Sequence, residues 1–192
     1  MAMLITIRPA IPSDAQAIAT IHIASWRAAY INIVPQHHLD TLSLDDRITF
    51  WHRILGGEDE RGNGGILVAE EQINAGESRL LLGFVTFGAA AAAAVTANTS
   101  SLPSDEQQRT AELRAIYIDP NRWTKGIGQA LWKAAQQQLV EQNFTSVVVN
   151  LFAKNERAMR FYTAVGFVGE AKGSTEVGGE RLETLRMRMG LD

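Results

Sequence analysis

Hydrophobic residues recur along this chain with two periods, and these periods predict strands and helices in a mixed order. Short runs of alternating or continuous apolar residues predict seven strands. Their ranges are 4–8, 66–70, 80–88, 111–118, 146–152, 167–170 and 182–189. Apolar residues three or four apart predict four helices, within 11–30, 43–55, 126–142 and 155–165. The pattern predicts an α/β fold, with a single mixed sheet that carries helices on both faces.

Local sequence signals refine this arrangement. Ser13 or Asp14 is expected to cap the first helix and Ser43 the second. The strand 146–152 is almost continuously apolar, so it is expected near the centre of the sheet. Residues 89–110 join an alanine run to polar residues and follow neither period, so they predict an inserted loop.

Composition narrows the classes of function. The 192 residues suit one domain spanning 1–192, with 46% apolar and 20% charged residues. A net charge of −3 without a basic stripe argues against nucleic-acid binding. The lack of cysteine excludes disulfides, thiolate zinc sites and a cysteine nucleophile. We recognise no signal peptide or membrane-spanning run, so a cytoplasmic protein without a membrane partner is expected.

The turn NRWTKGIG, residues 121–128, is a candidate phosphate-binding motif. It leads from a predicted strand into a predicted helix, whose unpaired backbone N–H groups and dipole favour an anion. Gly126 and Gly128 permit close approach to the backbone, while Thr124 and Lys125 add a hydroxyl and a charge. Taken alone, the same turn could simply serve packing. It lacks the third glycine of a dinucleotide motif and the Lys-Ser or Lys-Thr of a P-loop.

Two motifs in register give this turn a more specific interpretation. The segment DPNRWTKGIGQAL resembles the cofactor-binding motif of the GNAT superfamily of N-acetyltransferases, commonly written Gln/Arg-x-x-Gly-x-Gly/Ala. Downstream, NERAMRFYTAVGF resembles the second signature of that family, and residues 7–30 are similar to the opening of many members. The resemblance covers nearly the whole chain except 89–110. It departs at Trp123, where the family commonly has Gln or Arg.

The resemblance implies a fold and a cofactor. The fold would have about seven strands, mostly antiparallel, in which two central parallel strands splay apart. The cofactor would be acetyl-CoA, with backbone groups of the first of these strands on its pantetheine arm and acetyl carbonyl. The implied cofactor-binding residues are Ile116, Tyr117, Ile118, Trp123, Thr124, Lys125, Gly126, Ile127, Gly128, Gln129, Asn155, Ala158 and Tyr162.

Two residues are candidates for catalysis. Tyr162 matches the family tyrosine that protonates the departing thiolate, and helical spacing predicts that its neighbour Phe161 faces elsewhere. Glu112 precedes Gly126 by fourteen positions, where some members carry a general base that acts directly or through water. A chain of water molecules, or a merely solvated carboxylate beside Arg114, are the alternatives for Glu112.

Aromatic and polar residues outside the motifs suggest further roles. Trp26 and Tyr30 lie four apart at the end of the first predicted helix, a region that walls the acceptor pocket in related enzymes. His22 is expected to be a satisfied core residue rather than a base. Asn155 is expected to cap its helix, which does not exclude a cofactor contact. The histidines lack an arranged set of carboxylates, so no metal site is expected.

These features predict an N-acetyltransferase that transfers an acetyl group from acetyl-CoA to a primary amine by direct attack in a ternary complex. The acceptor could be a small molecule, an antibiotic, a polyamine or a protein α-amine. The alternatives are a non-catalytic CoA-binding regulatory module of the same fold and a nucleotide-binding doubly wound protein. A homodimer formed through the last strands is a further expectation.

Overall fold

A computed structural model describes residues 5–57, 64–72, 79–91 and 109–191 of the chain. Its strands are β1 Ile5–Pro9, β2 Gly64–Gln72, β3 Arg79–Ala89, β4 Thr110–Ile118, β5 Ser146–Phe152, β6 Val168–Val177 and β7 Glu180–Gly190. Its helices are α1 Ala15–Ala29, α2 Gln36–Asp40, α3 Leu44–Leu55, α4 Ile127–Glu141 and α5 Glu156–Ala164. The seven predicted strands and four predicted helices are all present in the expected order. Most of the predicted insertion, residues 92–108, lies outside the described residues.

The strands form one sheet in the order β1-β2-β3-β4-β5-β7-β6. Neighbouring strands are antiparallel except for β4 and β5, which run parallel. That parallel pairing involves only Thr110, Ala111 and Glu112 of β4, opposite the first three residues of β5. Beyond Glu112 the two strands no longer pair, which confirms the mixed sheet with splayed central strands.

Each face of the sheet carries its own apolar core. On one face, α1 and α3 contribute Ile18 and Trp51, which pack with Phe84 of β3. On the other face, α4 and α5 pack over the sheet, with Leu131 and Tyr162 among their buried residues. Helices therefore cover both faces, as the sequence predicts. Within the described ranges, no helix is both long and apolar enough to cross a membrane.

The structure differs from the prediction in the last two strands and in a short helix after Pro35. Strand β6 continues to Val177, well past the predicted end at 170, whereas β7 begins at Glu180, close to the predicted start at 182. The two strands meet at a tight turn, where Gly178 and Gly179 have positive φ angles of 58° and 79°. Much of β6 is exposed, so no apolar alternation marks it in the sequence. The short helix α2, which follows Pro35, is also absent from the prediction because five residues show no period.

The capping predictions have different outcomes. The Ser43 hydroxyl accepts a hydrogen bond from the Asp46 N–H at 3.2 Å, which confirms it as the cap of α3. Asp14 lies at the start of α1 but makes no capping hydrogen bond to the helix. Its carboxylate instead accepts from the Ile11 N–H at 2.9 Å and from the guanidinium of Arg8 at 2.7 Å. Because the backbone of Asp14 is already helical, its side chain is directed back towards β1.

Arg8 joins β1, β2 and the start of α1 through two buried carboxylates. Its guanidinium donates to Asp14 at 2.7 Å and to Glu70 at 2.8 Å, and both acidic side chains are less than one-tenth exposed. Arg79 reaches Glu70 from the solvent side at 2.9 Å. Burial alone would raise the pKa of Asp14, but the hydrogen bonds from Arg8 and the Ile11 N–H lower it below its ordinary value.

Replacing Arg8 with alanine is therefore expected to lower the free energy of unfolding by about 3 kcal/mol, because it leaves the buried Asp14 carboxylate without its ion pair and Glu70 with Arg79 alone. Arg79→Ala is the matched control, since Arg79 is 65% exposed and its loss should cost less than about 1 kcal/mol. Urea unfolding at neutral pH measures both. The deficit of Arg8→Ala should shrink as the pH falls below about 4, where Asp14 becomes protonated in the unfolded chain. Equal losses for the two variants would contradict this role of Arg8.

Candidate active site

The divergence of β4 and β5 opens a cleft that leads into a cavity of about 600 Å³. The cavity runs from the unpaired part of the two strands to the start of α4 and to one side of α5. Every position that the sequence predicts to bind the cofactor lines it. These residues are Ile116, Tyr117, Ile118, Trp123, Thr124, Lys125, Gly126, Ile127, Gly128, Gln129, Asn155, Ala158 and Tyr162. The fold therefore brings two separate sequence motifs to one cavity.

The glycine turn forms the end of this cavity at the N-terminus of α4. Gly126 has φ +77°, a left-handed conformation that favours glycine, and Thr124 has φ +66°. A Cβ atom at Gly126 would meet no atom within 4 Å, so the space in front of the helix is open. The N–H of Ala130 is the first to bond back, to the Gly126 carbonyl at 3.1 Å. The preceding N–H groups of α4 lack an intrahelical acceptor and can serve an anion.

Gly128 makes room for a neighbouring side chain and has no unusual backbone angle. A Cβ atom there would lie 3.2 Å from the Phe161 ring, so glycine leaves room for this side chain of α5. Phe161 itself lines the cavity next to Tyr162. The prediction that Phe161 faces elsewhere is therefore wrong, because a cavity this wide touches two successive positions of one helix.

Trp123 holds the end of β4 in place. Its indole N–H donates to the Ile118 carbonyl at 3.1 Å, and the Ser25 hydroxyl donates to the same oxygen at 2.8 Å. On the outer side, the Arg157 guanidinium lies 3.5 Å from the centroid of the Trp123 ring, a cation–π contact. The tryptophan that departs from the family motif therefore fixes the turn and positions a cation.

Positive side chains surround the turn, and only one of them is predicted from the sequence. Lys125 was predicted, whereas Arg122, Arg157 and Arg160 also line the cavity. Arg122 pairs with Glu71 of β2 at 3.4 Å. Three isolated arginines look like ordinary solvated residues in a sequence, and only the packing of α5 beside the turn brings them together. The cavity thus combines a helix N-terminus with a cationic rim.

Helix α5 places a buried phenol in the wall of the cavity. The Asn155 side chain accepts from the Ala158 N–H at 3.1 Å, which confirms it as the cap of this helix. Tyr162, two turns along, is only 7% exposed and packs against the Phe161 and Phe167 rings. Burial, and to a lesser extent the nearby Tyr117, raises the pKa of Tyr162 above its ordinary value. Its hydroxyl therefore keeps its proton at neutral and moderately alkaline pH.

A smaller cavity of about 360 Å³ adjoins the first, and Trp26 and Tyr30 line it. The Trp26 indole N–H donates to the Tyr117 hydroxyl at 2.9 Å, and Tyr30 and Tyr117 are joined by a side-chain hydrogen bond. The Tyr30 ring also meets the Phe152 ring edge-on, with centroids 5.1 Å apart. Burial raises the pKa of both phenols. The two predicted acceptor-pocket residues thus lie beside the cleft.

His22 belongs to the packing on the other side of Tyr117. Its ring stacks on Tyr117 with centroids 4.9 Å apart, and its Nδ1 accepts from the Trp51 indole N–H at 3.3 Å. Burial, with a smaller effect of Arg47, lowers the pKa of His22 to about 3. A neutral, hydrogen-bonded ring agrees with the predicted core role. Over the described ranges, no three His, Asp or Glu side chains cluster as metal ligands would.

Glu112 is the one predicted catalytic residue that does not line either cavity. It lies where β4 still pairs with β5, opposite Val148. Its carboxylate accepts from the Asn150 side-chain N–H at 3.2 Å, and Asn150 lines both cavities. Among the described contacts, Asn150, which is not predicted from the sequence, connects Glu112 to the cleft. Its role as a base stays a prediction.

Comparison with known proteins identifies the family. A model of the acetyltransferase (GNAT) family matches residues 22–167 of the chain. The chain is also 27% identical to YuaI of Bacillus subtilis (strain 168), named an uncharacterized N-acetyltransferase. That similarity extends over 94% of this chain and 90% of YuaI.

Solved structures share the fold. YncA of Salmonella typhimurium, solved with its cofactor acetyl-CoA, matches 98% of this chain and 94% of its own, with a TM-score of 0.65 and 23% identity. The fold is also similar to that of PaiA N-acetyltransferase of Thermoplasma acidophilum, solved in complex with coenzyme A. The match covers 95% of this chain and 98% of PaiA, with a TM-score of 0.64 and 19% identity. Because the family model spans most of the chain and both signature motifs meet at one cavity, the chain belongs to the GNAT family of acetyltransferases.

Proposed function

We propose that this protein transfers an acetyl group from acetyl-CoA to a primary amine, by direct attack of the amine in a ternary complex. The observation that carries the proposal is the continuous cavity between the splayed strands and the glycine turn. It joins an unpaired backbone edge to an open helix N-terminus. Family membership supports the acetyltransferase activity, and two structures of the same fold hold acetyl-CoA or coenzyme A.

The residues present fit a long cofactor with an anionic end. Ile116, Tyr117 and Ile118 lie where β4 has no strand partner on its β5 side. Backbone groups of this segment, other than the Ile118 carbonyl that already accepts two hydrogen bonds, can pair with the amides of pantetheine. The Gly126 turn would hold the pyrophosphate at the start of α4. Arg157 lies at the same end and would add positive charge.

Tyr162 is the group that we assign to the proton transfer. When bound, acetyl-CoA supplies an acetyl group activated as a thioester. The Tyr162 hydroxyl lies in the wall of the cleft and keeps its proton because burial raises its pKa. A phenol in that state can donate a hydrogen bond, and then a proton, to a sulfur atom that gains negative charge. Since the chain has no cysteine to carry the acyl group, the amine is proposed to attack directly.

Glu112→Gln is expected to lower kcat less than about tenfold, because Glu112 does not itself line the cleft and glutamine can still accept the hydrogen bond from Asn150. Steady-state rates across pH measure this, with Glu141→Gln on the exposed side of α4 as control. A loss of about 10²-fold or more, together with loss of the acidic limb of the pH profile, would instead establish Glu112 as the general base.

The proposed function is tested by following thiol release from acetyl-CoA in the presence of a panel of primary amines. We expect release that depends on both substrates, with no acetyl group left on the protein by intact-mass measurement. Binding of acetyl-CoA without turnover on any amine would favour the non-catalytic module. Competition by NAD or ATP rather than coenzyme A would indicate the nucleotide-binding alternative.

A further inference from the structure

The smaller cavity meets the cofactor cleft along a shared wall. Four residues line both spaces: Tyr30, Tyr117, Asn150 and Leu151. A molecule bound in the smaller cavity therefore lies next to the cofactor cleft, on the same side of β5. The remaining wall comes from Trp26, from Phe152 at the end of β5, and from the β6–β7 hairpin. The hairpin contributes Thr175 and Thr184. If the proposed function holds, this is where the attacking amine must reside.

None of the described residues that line the smaller cavity carries a charge. Its wall consists of aromatic rings, one leucine, two threonine hydroxyls and one amide. The phenols of Tyr30 and Tyr117 stay protonated because burial raises their pKa, so they add no negative charge. The part of the wall that the structure describes offers no counter-charge to a carboxylate or to a second ammonium group.

Asn150 provides a defined hydrogen-bond acceptor at the junction of the two cavities. Its Nδ2 donates to the Glu112 carboxylate at 3.2 Å, and this bond sets the orientation of the amide. The amide oxygen Oδ1 points the opposite way from Nδ2 and can accept an N–H. A primary amine whose nitrogen lies at the junction can donate to Oδ1 while its body rests against the rings.

From this wall we infer that the acceptor is a primary amine whose remaining body is uncharged, either aliphatic or aromatic. The inference rests on the proposed function. A charged group on that body would give up part of its hydration against the aromatic rings and gain no charged partner from the described part of the wall.

A panel of amines with matched chain length tests the inference on the wild-type chain. Pentylamine, 1,5-diaminopentane and 5-aminopentanoate differ only in the group at the far end. We expect kcat/KM for pentylamine to exceed that for either charged amine by at least about tenfold. Equal or higher values for a charged amine would overturn the inference while leaving the acetyltransferase proposal intact. No turnover of any amine would instead overturn the proposed function, and the inference with it.

A variant that gains a preference for a doubly charged amine provides a second test, because a folding defect would lower activity on all amines alike. Thr175 is exposed and lines the smaller cavity, so Thr175→Glu adds a carboxylate to its wall. We expect the ratio of kcat/KM for 1,5-diaminopentane over pentylamine to rise about fivefold, the effect of an exposed ion pair. Ser174→Glu is the control, because it adds the same charge on the opposite face of β6. An unchanged ratio in Thr175→Glu, or equal rises in both variants, would overturn the assignment of this cavity.

Discussion

Replacing Gly126 with glutamate is expected to weaken coenzyme A binding by about 10³-fold. The left-handed turn at Gly126 opens onto free space before α4, so a longer side chain enters the proposed phosphate site. A carboxylate about 4 Å from a phosphate charge is repelled by about 4 kcal/mol at an effective dielectric constant near 20. That energy corresponds to about three decades in Kd, which titration calorimetry with coenzyme A measures.

Gly126→Gln separates charge from strain in this experiment. Any side chain at φ +77° costs about 1 kcal/mol of conformational strain, and glutamine has the size of glutamate without its charge. Both variants should unfold at similar temperatures, because a Cβ at this position meets no neighbouring atom. Equal coenzyme A affinities for the glutamine and glutamate variants would contradict an anion site at this turn.

Tyr162→Phe is expected to lower kcat about 10²-fold, the usual size of a lost general acid, with unchanged affinity for coenzyme A. Phenylalanine keeps the ring that packs against Phe161 and Phe167, so the fold and the cavity wall should persist. Steady-state kinetics and calorimetry on the same preparation measure kcat and Kd separately. Full activity in the variant would remove Tyr162 from the mechanism.

The pH dependence of the wild-type protein adds an independent check on Tyr162. An ordinary tyrosine begins to lose its proton as the pH approaches about 10. Because burial raises the pKa of Tyr162, its acid form should persist beyond that range. We therefore expect kcat to show no decline from this group between about pH 9 and 10.5, where an ordinary tyrosine would lose its proton. A fall in kcat across this interval that is missing in Tyr162→Phe would contradict the raised pKa.

The sequence predicts those helices and strands whose buried residues form a continuous run or recur at a regular spacing. Strand β5 is found with its predicted ends, Ser146 and Phe152, because six of its seven residues are at least partly buried. Helix α4 begins one residue later than predicted, after Gly126. By contrast, the outer part of the β6–β7 hairpin is exposed, so nothing in its apolar pattern distinguishes it from a loop. Its pair of glycines was the available signal.

The residues of the candidate site likewise fall into a group that the sequence predicts and a group that only the fold reveals. Residues within the two motifs were found because their spacing is fixed along the chain, and Gly126 and Tyr162 both line the cavity. Arg157 and Asn150 were missed because their positions depend on tertiary packing. One stacks on Trp123, and the other bridges Glu112 to both cavities. Neither residue type is unusual on an exposed surface, so only the fold reveals them.

The most direct test of the account is to follow the acetyl group itself. The wild-type protein is incubated with acetyl-CoA labelled in the acetyl group and with pentylamine, and products are analysed by mass spectrometry. We predict labelled N-acetylpentylamine and an equal amount of free coenzyme A, with no label on the protein. Label that stays in the thioester whichever amine is offered, or label that accumulates on the protein, would contradict direct transfer from acetyl-CoA to an amine.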